Sequence, residues 1–234
     1  MLAIMKRDFK SYFSSPIAYV LIGLFMLLVG LYFNSFLGYG SDIIGELVSV
    51  MSGLLLFIVP IMTMRSMAED KKNGTEILLL TAPVKVSEIV MGKFLAAYSV
   101  FLVMTGVSLI FPIITIIAGK PDILLIFSSY LGYILLGAIY VSFGVFASSL
   151  TENQIIAAII SLVSIFLIQN VGYLASFFSG FLNKAFLWLS VMDRYEDFSK
   201  GIIDLTSVIF MVCYAAVFLI LTYRVIEHKR WSQG

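Results

Sequence analysis

Charged residues are scarce in this chain. Asp, Glu, Lys and Arg make up 12% of its 234 residues, whereas soluble domains carry about 25%. Apolar residues make up 61%, and the mean hydropathy is +1.04. This composition excludes a water-soluble globule and indicates an integral membrane protein embedded in a lipid bilayer. The net charge of +1 argues neither for nor against a nucleic-acid partner, and we expect none.

Residues that usually carry chemistry are equally rare. Cysteine and histidine occur once each, as Cys213 and His228. A single cysteine excludes an intrachain disulfide, and a single histidine leaves no ligand set for zinc or haem, so we expect no bound metal or cofactor. The sequence also lacks an HExxH motif, a GxSxG motif and a GxxxxGK[ST] phosphate-binding loop. We therefore expect no enzymatic activity, and any ATP hydrolysis must take place on another subunit.

Long apolar runs are what the chain has in abundance. They predict an all-α integral membrane protein with a single domain over residues 1–234 and six transmembrane helices. The predicted spans cover approximately residues 17–36, 47–64, 94–118, 123–147, 155–178 and 205–223. No charged side chain lies in the middle of any of these spans, which disfavours a transporter coupled to buried proton or ion sites.

Two segments outside the spans are also predicted to be helical. Residues 1–14 place Leu2, Met5 and Phe9 opposite Lys6 and Lys10, which predicts an amphipathic helix at the membrane interface. The alternative is a charged leader before the first span. Residues 179–203 are rich in aromatic side chains and bracketed by glycines, so we expect an extracytoplasmic pair of short helices there.

The basic residues favour one membrane orientation. With both termini in the cytosol, eleven of the 15 Lys and Arg residues lie inside, and four lie outside, namely Lys120, Lys184, Arg194 and Lys200. This distribution predicts an N-in, C-in topology by the positive-inside rule.

Two adjacent amides, Gln169 and Asn170, lie in the outer part of the fifth predicted span. Neighbouring helical positions point about 100° apart, so at least one of these side chains should face protein or a cavity. We consider both as candidate cavity-lining residues.

One long polar stretch separates the second and third predicted spans. Residues 65–94, RSMAEDKKNGTEILLLTAPVKVSEIVMGKF, contain nine of the 29 charged residues. The stretch combines charges of both signs with a glycine, a short apolar run and a proline. This combination predicts a structured connector at 65–93. We expect Gly74 to break the incoming helix and Thr75 to cap a short new one. Pro83 should end that helix, and Ser87 should cap the third span.

This stretch resembles the loop between spans two and three of ABC-2 type transporter permeases, in which an acidic pair, a GT step, a leucine-rich turn, a proline and a GK recur in that order. The matching residues are Arg65, Glu69, Gly74, Thr75, Glu76, Leu78, Leu79, Pro83, Gly92 and Lys93. Residues 6–25 and 193–210, with the charged tail, resemble one branch of that family. This branch contains permeases similar to the gliding-motility protein GldF and the nitrous-oxide reductase maturation protein NosY.

The resemblance implies the permease subunit of an ATP-binding-cassette transporter, with export as the expected direction. Its partners would be two copies of a cytosolic ATP-binding-cassette ATPase that holds ATP and Mg, and a second permease copy or a sibling permease. An extracytoplasmic accessory protein is a further candidate partner. The expected location is the cytoplasmic (inner) membrane of a bacterium or archaeon, as a multi-pass protein. The resemblance does not identify the substrate.

The resemblance also implies which residues couple the chain to its ATPase. The 65–93 loop would supply a coupling helix, with the coupling residues Glu69, Gly74, Thr75, Glu76, Leu78, Leu79 and Pro83. The short connection after span four would give a second cytosolic contact through Thr151, Glu152 and Asn153. The alternative function is a non-conducting membrane anchor or assembly subunit, which apolar spans without buried charge would also serve. An intramembrane enzyme has no sequence feature in its favour.

Overall fold

The computed structural model describes residues 1–36, 43–119 and 122–232. Within these ranges the chain is helical and contains no strand, which confirms the all-α prediction. The helices are α1 (Leu2–Ser14), α2 (Pro16–Phe36), α3 (Ile43–Thr63), α4 (Ala68–Lys72), α5 (Thr75–Thr81), α6 (Val86–Ser108), α7 (Ile110–Ala118), α8 (Ile123–Leu150), α9 (Gln154–Gln169), α10 (Val171–Ala175), α11 (Phe181–Leu189), α12 (Val191–Ser199) and α13 (Leu205–Ser232).

Five helical stretches are long and apolar enough to cross a membrane. They are Pro16–Ser35, Ile44–Lys72, Val86–Ile117, Ile123–Leu150 and Leu205–Arg230. They overlap predicted spans one to four and six. The expected short helices are also present, as α1 at the N-terminus and as the pair α11 and α12.

The fifth predicted span differs from the observed helices. The sequence predicts one helix over 155–178, but α9 ends at Gln169 and the five-residue α10 follows Asn170. The Asn170 side-chain amide donates to the Phe166 carbonyl at 2.8 Å, so it competes with the backbone at that point. The 16-residue α9 is about 24 Å long, shorter than the ~30 Å of a bilayer core.

The third predicted span is also divided. It begins at Val86, earlier than expected, and breaks at Leu109 between α6 and α7. Pro112 explains the break, because it has no N–H to donate to the Ser108 carbonyl four residues earlier. The Tyr130 hydroxyl donates to that carbonyl instead, at 3.1 Å. The predicted cap at Ser87 is wrong, since Lys85 precedes the helix and its N–H donates to the Glu88 carboxylate at 3.3 Å.

Helix α8 lies at the centre of the bundle. Tyr133 and Tyr140 on this helix are fully buried, as is Phe101 of α6. A Cβ at Gly137 would collide with the Phe101 ring, and one at Gly144 would collide with Thr63 of α3. These two glycines therefore allow α6 and α3 to pack directly on α8.

Several chain segments meet at one end of the bundle, which we call the charged end. It comprises residues 1–12, 64–93, 148–153 and 224–230. The N-terminal amine lies 3.6 Å from Glu88, and the Lys229 ammonium lies 4.0 Å from Glu76. Toward the other end, the Tyr195 hydroxyl of α12 donates to the Val48 carbonyl near the start of α3, at 3.0 Å.

Candidate functional site

The connector between α3 and α6 folds into two short helices at the charged end. Gly74 separates them and has a left-handed backbone with φ +72°, which confirms the expected helix break. Ala82 is extended and ends α5 immediately before Pro83, as predicted. The prediction that Thr75 caps α5 is wrong, because Gly74 occupies the cap position. The Thr75 hydroxyl instead donates to the Asp70 carboxylate at 2.7 Å and links the two short helices.

Helix α4 is fixed to the end of α8 by a buried serine. The Ser148 hydroxyl accepts hydrogen bonds from the N–H groups of Met67 and Ala68, each at 3.0 Å. It donates to the Met64 carbonyl, also at 3.0 Å. The Lys71 ammonium donates to the Ser149 carbonyl. The end of α8 therefore takes the place of a local cap for α4.

The predicted second contact lies next to this junction. Thr151 is half-buried, while Glu152 and Asn153 are exposed. The Asn153 side chain caps α9 by accepting from the Ile155 N–H at 2.9 Å. Sequence analysis identified this turn and missed Ser148, whose hydroxyl holds the turn against α4.

A buried lysine joins three helices at the charged end. Only 2% of the Lys93 side chain is exposed, and its ammonium lies 3.2 Å from the Asp8 carboxylate of α1. It also pairs with Asp70 of α4 and donates to the Ser66 carbonyl. Arg7 completes the cluster at 2.7 Å from Asp8 and 3.3 Å from Asp70. Lys93 carried a signal in the sequence through the GK step, and Asp70 through the acidic pair, whereas Arg7 and Asp8 carried none.

The two glutamates predicted as coupling residues form ion pairs within the chain. Glu69 accepts two hydrogen bonds from Arg65, both at 2.9 Å, in a bidentate pair across one helical turn. Glu76 lies 4.0 Å from Lys229 of α13. In the structure Glu69 therefore stabilises the connector internally, and Glu76 links the connector to α13.

Helix α5 exposes apolar side chains at this end. Leu78 is 70% exposed, Ile77 and Pro83 are also exposed, and Leu79 is half-buried. Exposed leucine and isoleucine on a short, braced helix are typical of a surface that another protein covers.

A cavity of about 300 Å³ opens between α1 and the connector. Tyr12 lines it and donates to the Met62 carbonyl at 2.9 Å. Burial and the nearby Asp8 carboxylate raise the pKa of the Tyr12 phenol, so the hydroxyl remains a donor at neutral pH. Burial lowers the pKa of Arg7, but the carboxylates of Asp8 and Asp70 outweigh it and leave the pKa above its ordinary value.

The two candidate cavity-lining amides, Gln169 and Asn170, lie at the end of α9. Gln169 donates to the Ser52 carbonyl at 3.4 Å, which links α9 to α3, and the Asn170 amide donates to the Phe166 carbonyl in the last turn of α9. Neither residue lines the cavity beside α1.

Comparison with known proteins identifies a family over nearly the whole chain. The family model described as an ABC-2 family transporter protein matches residues 3–224. No curated protein matches the chain.

Proposed function

The chain belongs to the ABC-2 transporter family, and we propose that it is a permease subunit that forms a substrate path as a dimer and is driven by a cytosolic ATPase. Family membership and the long apolar helices make it a multi-pass membrane protein and the membrane subunit of a transporter. Export is the proposed direction. The branch that includes GldF and NosY stays a prediction.

The proposed complex has two ATP-binding-cassette ATPases, which bind ATP and Mg and carry out the hydrolysis. The second permease is another copy of this chain or a sibling, and an extracytoplasmic accessory protein is a further proposed partner. We place the complex in the cytoplasmic membrane of a bacterium or archaeon. The permease itself is proposed to have no enzymatic activity and no cofactor.

We further propose six membrane crossings with both termini in the cytosol. The ends of α1 and α13 lie at the same end of the bundle, which supports an even number of crossings. The chain leaves that end after Ser148 and reaches the other end by Tyr195, which supports a crossing by α9 and α10 together despite the break at Asn170. Lys120, one of the four basic residues expected outside, lies beyond the described residues.

The exposed apolar surface of α5 is the observation that carries the coupling proposal. A helix can transmit force from a partner only if it is firmly attached to the membrane helices. Helix α5 meets this requirement, because Thr75 bonds to Asp70 and Glu76 pairs with Lys229 of α13. The ATPase is therefore proposed to cover Leu78 and to push on α13 through Glu76, and on α6 through Asp70, which pairs with Lys93.

Co-purification with the ATPase tests the proposal. Leu78→Asp should release the ATPase and abolish substrate-stimulated ATP turnover in reconstituted membranes, since a carboxylate would be buried in an apolar contact. Leu205→Asp is the matched control: Leu205 is also 70% exposed, and it lies about 35 Å away along α13 from Lys229.

Three results would count against the proposal in different ways. Retained ATPase binding by Leu78→Asp would remove α5 as the docking surface. Release by both variants would show a general defect instead of a local one. A parent chain that never co-purifies with an ATPase under mild extraction would favour the membrane anchor.

A further inference from the structure

The cavity beside α1 lies where apolar helices give way to charged segments. One wall is apolar and comes from the first turn of α2 and the last turns of α3, with Ile17, Ile61 and Met62. The rest is polar and comes from α1, from the chain around α4 and from Lys93 of α6. Because α2 and α3 are membrane-spanning candidates, such a change in lining is expected where lipid tails give way to headgroups.

The charged residues around the cavity balance one another. Arg7, Arg65 and Lys93 face Asp8, Glu69 and Asp70, so the lining has no formal net charge. Such a site gives a multiply charged anion from water little electrostatic attraction. It suits a ligand that is itself neutral overall but carries separated charges.

Two guanidinium groups that line this cavity retain donors. Arg7 uses Nε and Nη2 for Asp8 and Asp70, and Arg65 uses Nε and Nη2 for Glu69. In the described part of the chain, Nη1 of each arginine makes no hydrogen bond to protein. The Ser11 hydroxyl also lines the cavity and is exposed. These groups are suitable donors for phosphate oxygens.

We propose that this cavity binds the phosphodiester headgroup of a zwitterionic membrane phospholipid. Arg7 and Arg65 donate to the phosphate, an ammonium on the headgroup faces Glu69, and the acyl chains leave past Ile17 and Ile61 into the bilayer. The cavity of about 300 Å³ is at the lower limit of small-molecule sites, ~300–1,000 Å³, which suits a headgroup and not a whole lipid. The lipid then bridges α1 and the connector, independently of any ATPase.

Native mass spectrometry of the full chain in detergent tests the lipid source. We would add dioleoyl phosphatidylethanolamine, dioleoylglycerol, which has the same tails and no phosphate, or glycerophosphoethanolamine, which has the headgroup and no tails. The proposal expects one tightly retained phosphatidylethanolamine. Equal retention of dioleoylglycerol would overturn headgroup recognition. Equal retention of glycerophosphoethanolamine would assign the cavity to a soluble phosphate ester and overturn the lipid.

Two pairs of variants locate the bound lipid. Arg65→Gln should reduce lipid occupancy about tenfold through loss of a charged donor. Arg224→Gln is its control and should not change occupancy, because Arg224 also pairs with a glutamate and is 74% exposed but lies outside the cavity.

Ser11→Trp should fill the cavity without breaking an ion pair. Ser14→Trp is its control and should leave binding intact, because Ser14 is on the same helix but outside the cavity. Parental lipid retention by both Arg65→Gln and Ser11→Trp would overturn the site.

Discussion

The Lys93 ammonium lies 3.2 Å from the Asp8 carboxylate, and these residues are 85 positions apart in the chain. Lys93 is on α6 and Asp8 is on α1, so the pair attaches the N-terminal helix to a membrane helix. Asp70 of α4 joins the same ammonium. A movement of the connector at Asp70 would therefore displace α1 and α6 together.

Removing the buried lysine should weaken this junction. In Lys93→Met, Asp8 and Asp70 keep only Arg7 as a cation, and breaking a buried pair of this kind costs about 3 kcal/mol. For a chain of this length we expect the apparent Tm in detergent to fall by roughly 5–10 °C.

The matched control for this prediction is Lys10→Met, which removes an exposed lysine of α1 and should leave Tm nearly unchanged. Adding Asp70→Asn to Lys93→Met should recover part of the loss, since Arg7 then balances a single carboxylate, that of Asp8, instead of two. Equal Tm values for Lys93→Met and Lys10→Met would show that the cluster contributes nothing to stability.

The hydroxyl of Ser148 should control the order of α4. In Ser148→Ala, the buried N–H groups of Met67 and Ala68 lose their acceptor, which costs about 1–2 kcal/mol. Hydrogen exchange of the amides in 67–72 should accelerate by roughly tenfold. Ser149→Ala is the control, because the equally buried Ser149 hydroxyl bonds only within its own helix, to the Phe146 carbonyl. Identical exchange in the two variants would contradict the capping role.

Sequence reasoning recovered the features that depend on local chemistry. Apolar run length identified the long helices, and the special backbone freedom of glycine located the turn at Gly74. The sequence analysis did not predict the break at Leu109. Pro112 leaves the Ser108 carbonyl without its helical partner, and only the folded chain brings the Tyr130 hydroxyl to that carbonyl.

The parts of the site that sequence reasoning missed depend on distant segments. Asp8 and Ser148 have no distinctive local pattern, and their roles follow from partners 81 and 85 residues away. Asp70 belongs to the acidic pair, but its pairing with Arg7, 63 residues away, is not readable from the sequence. The coupling role of Glu69 and Glu76 stays a prediction. Glu69 pairs with Arg65 four positions away, whereas the pairing of Glu76 with Lys229 requires knowledge of which helices meet at the charged end.

Cysteine labelling should report the proposed six crossings. In a Cys213→Ser background, an impermeant maleimide should label Asn183→Cys from outside and leave Asn73→Cys unreacted in intact cells. Lys184→Cys is the better external site, because Lys184 is exposed while the Asn183 amide donates to the Ala175 carbonyl at 2.8 Å. Asp42, also expected to be external, lies outside the described residues. External labelling at Asn73, or its absence at both Asn183 and Lys184, would contradict this topology.

The left-handed backbone at Gly74 should be necessary for coupling. A Cβ there has open space around it, so Gly74→Val acts through backbone strain at φ +72° and not through a collision. We expect it to shift the angle between α4 and α5 and to uncouple ATP turnover from transport while leaving membrane insertion intact. Gly74→Asn should retain most of the coupling, because asparagine tolerates this conformation.

Gly53→Val is the matched control, since Gly53 also has open space but lies within α3. The measurements are ATPase pull-down and substrate-stimulated ATP turnover in reconstituted membranes, with Glu76→Ala, which breaks the pair with Lys229, in parallel. If Gly74→Val and Glu76→Ala both match the parent in binding, turnover and transport, the connector does not transmit force.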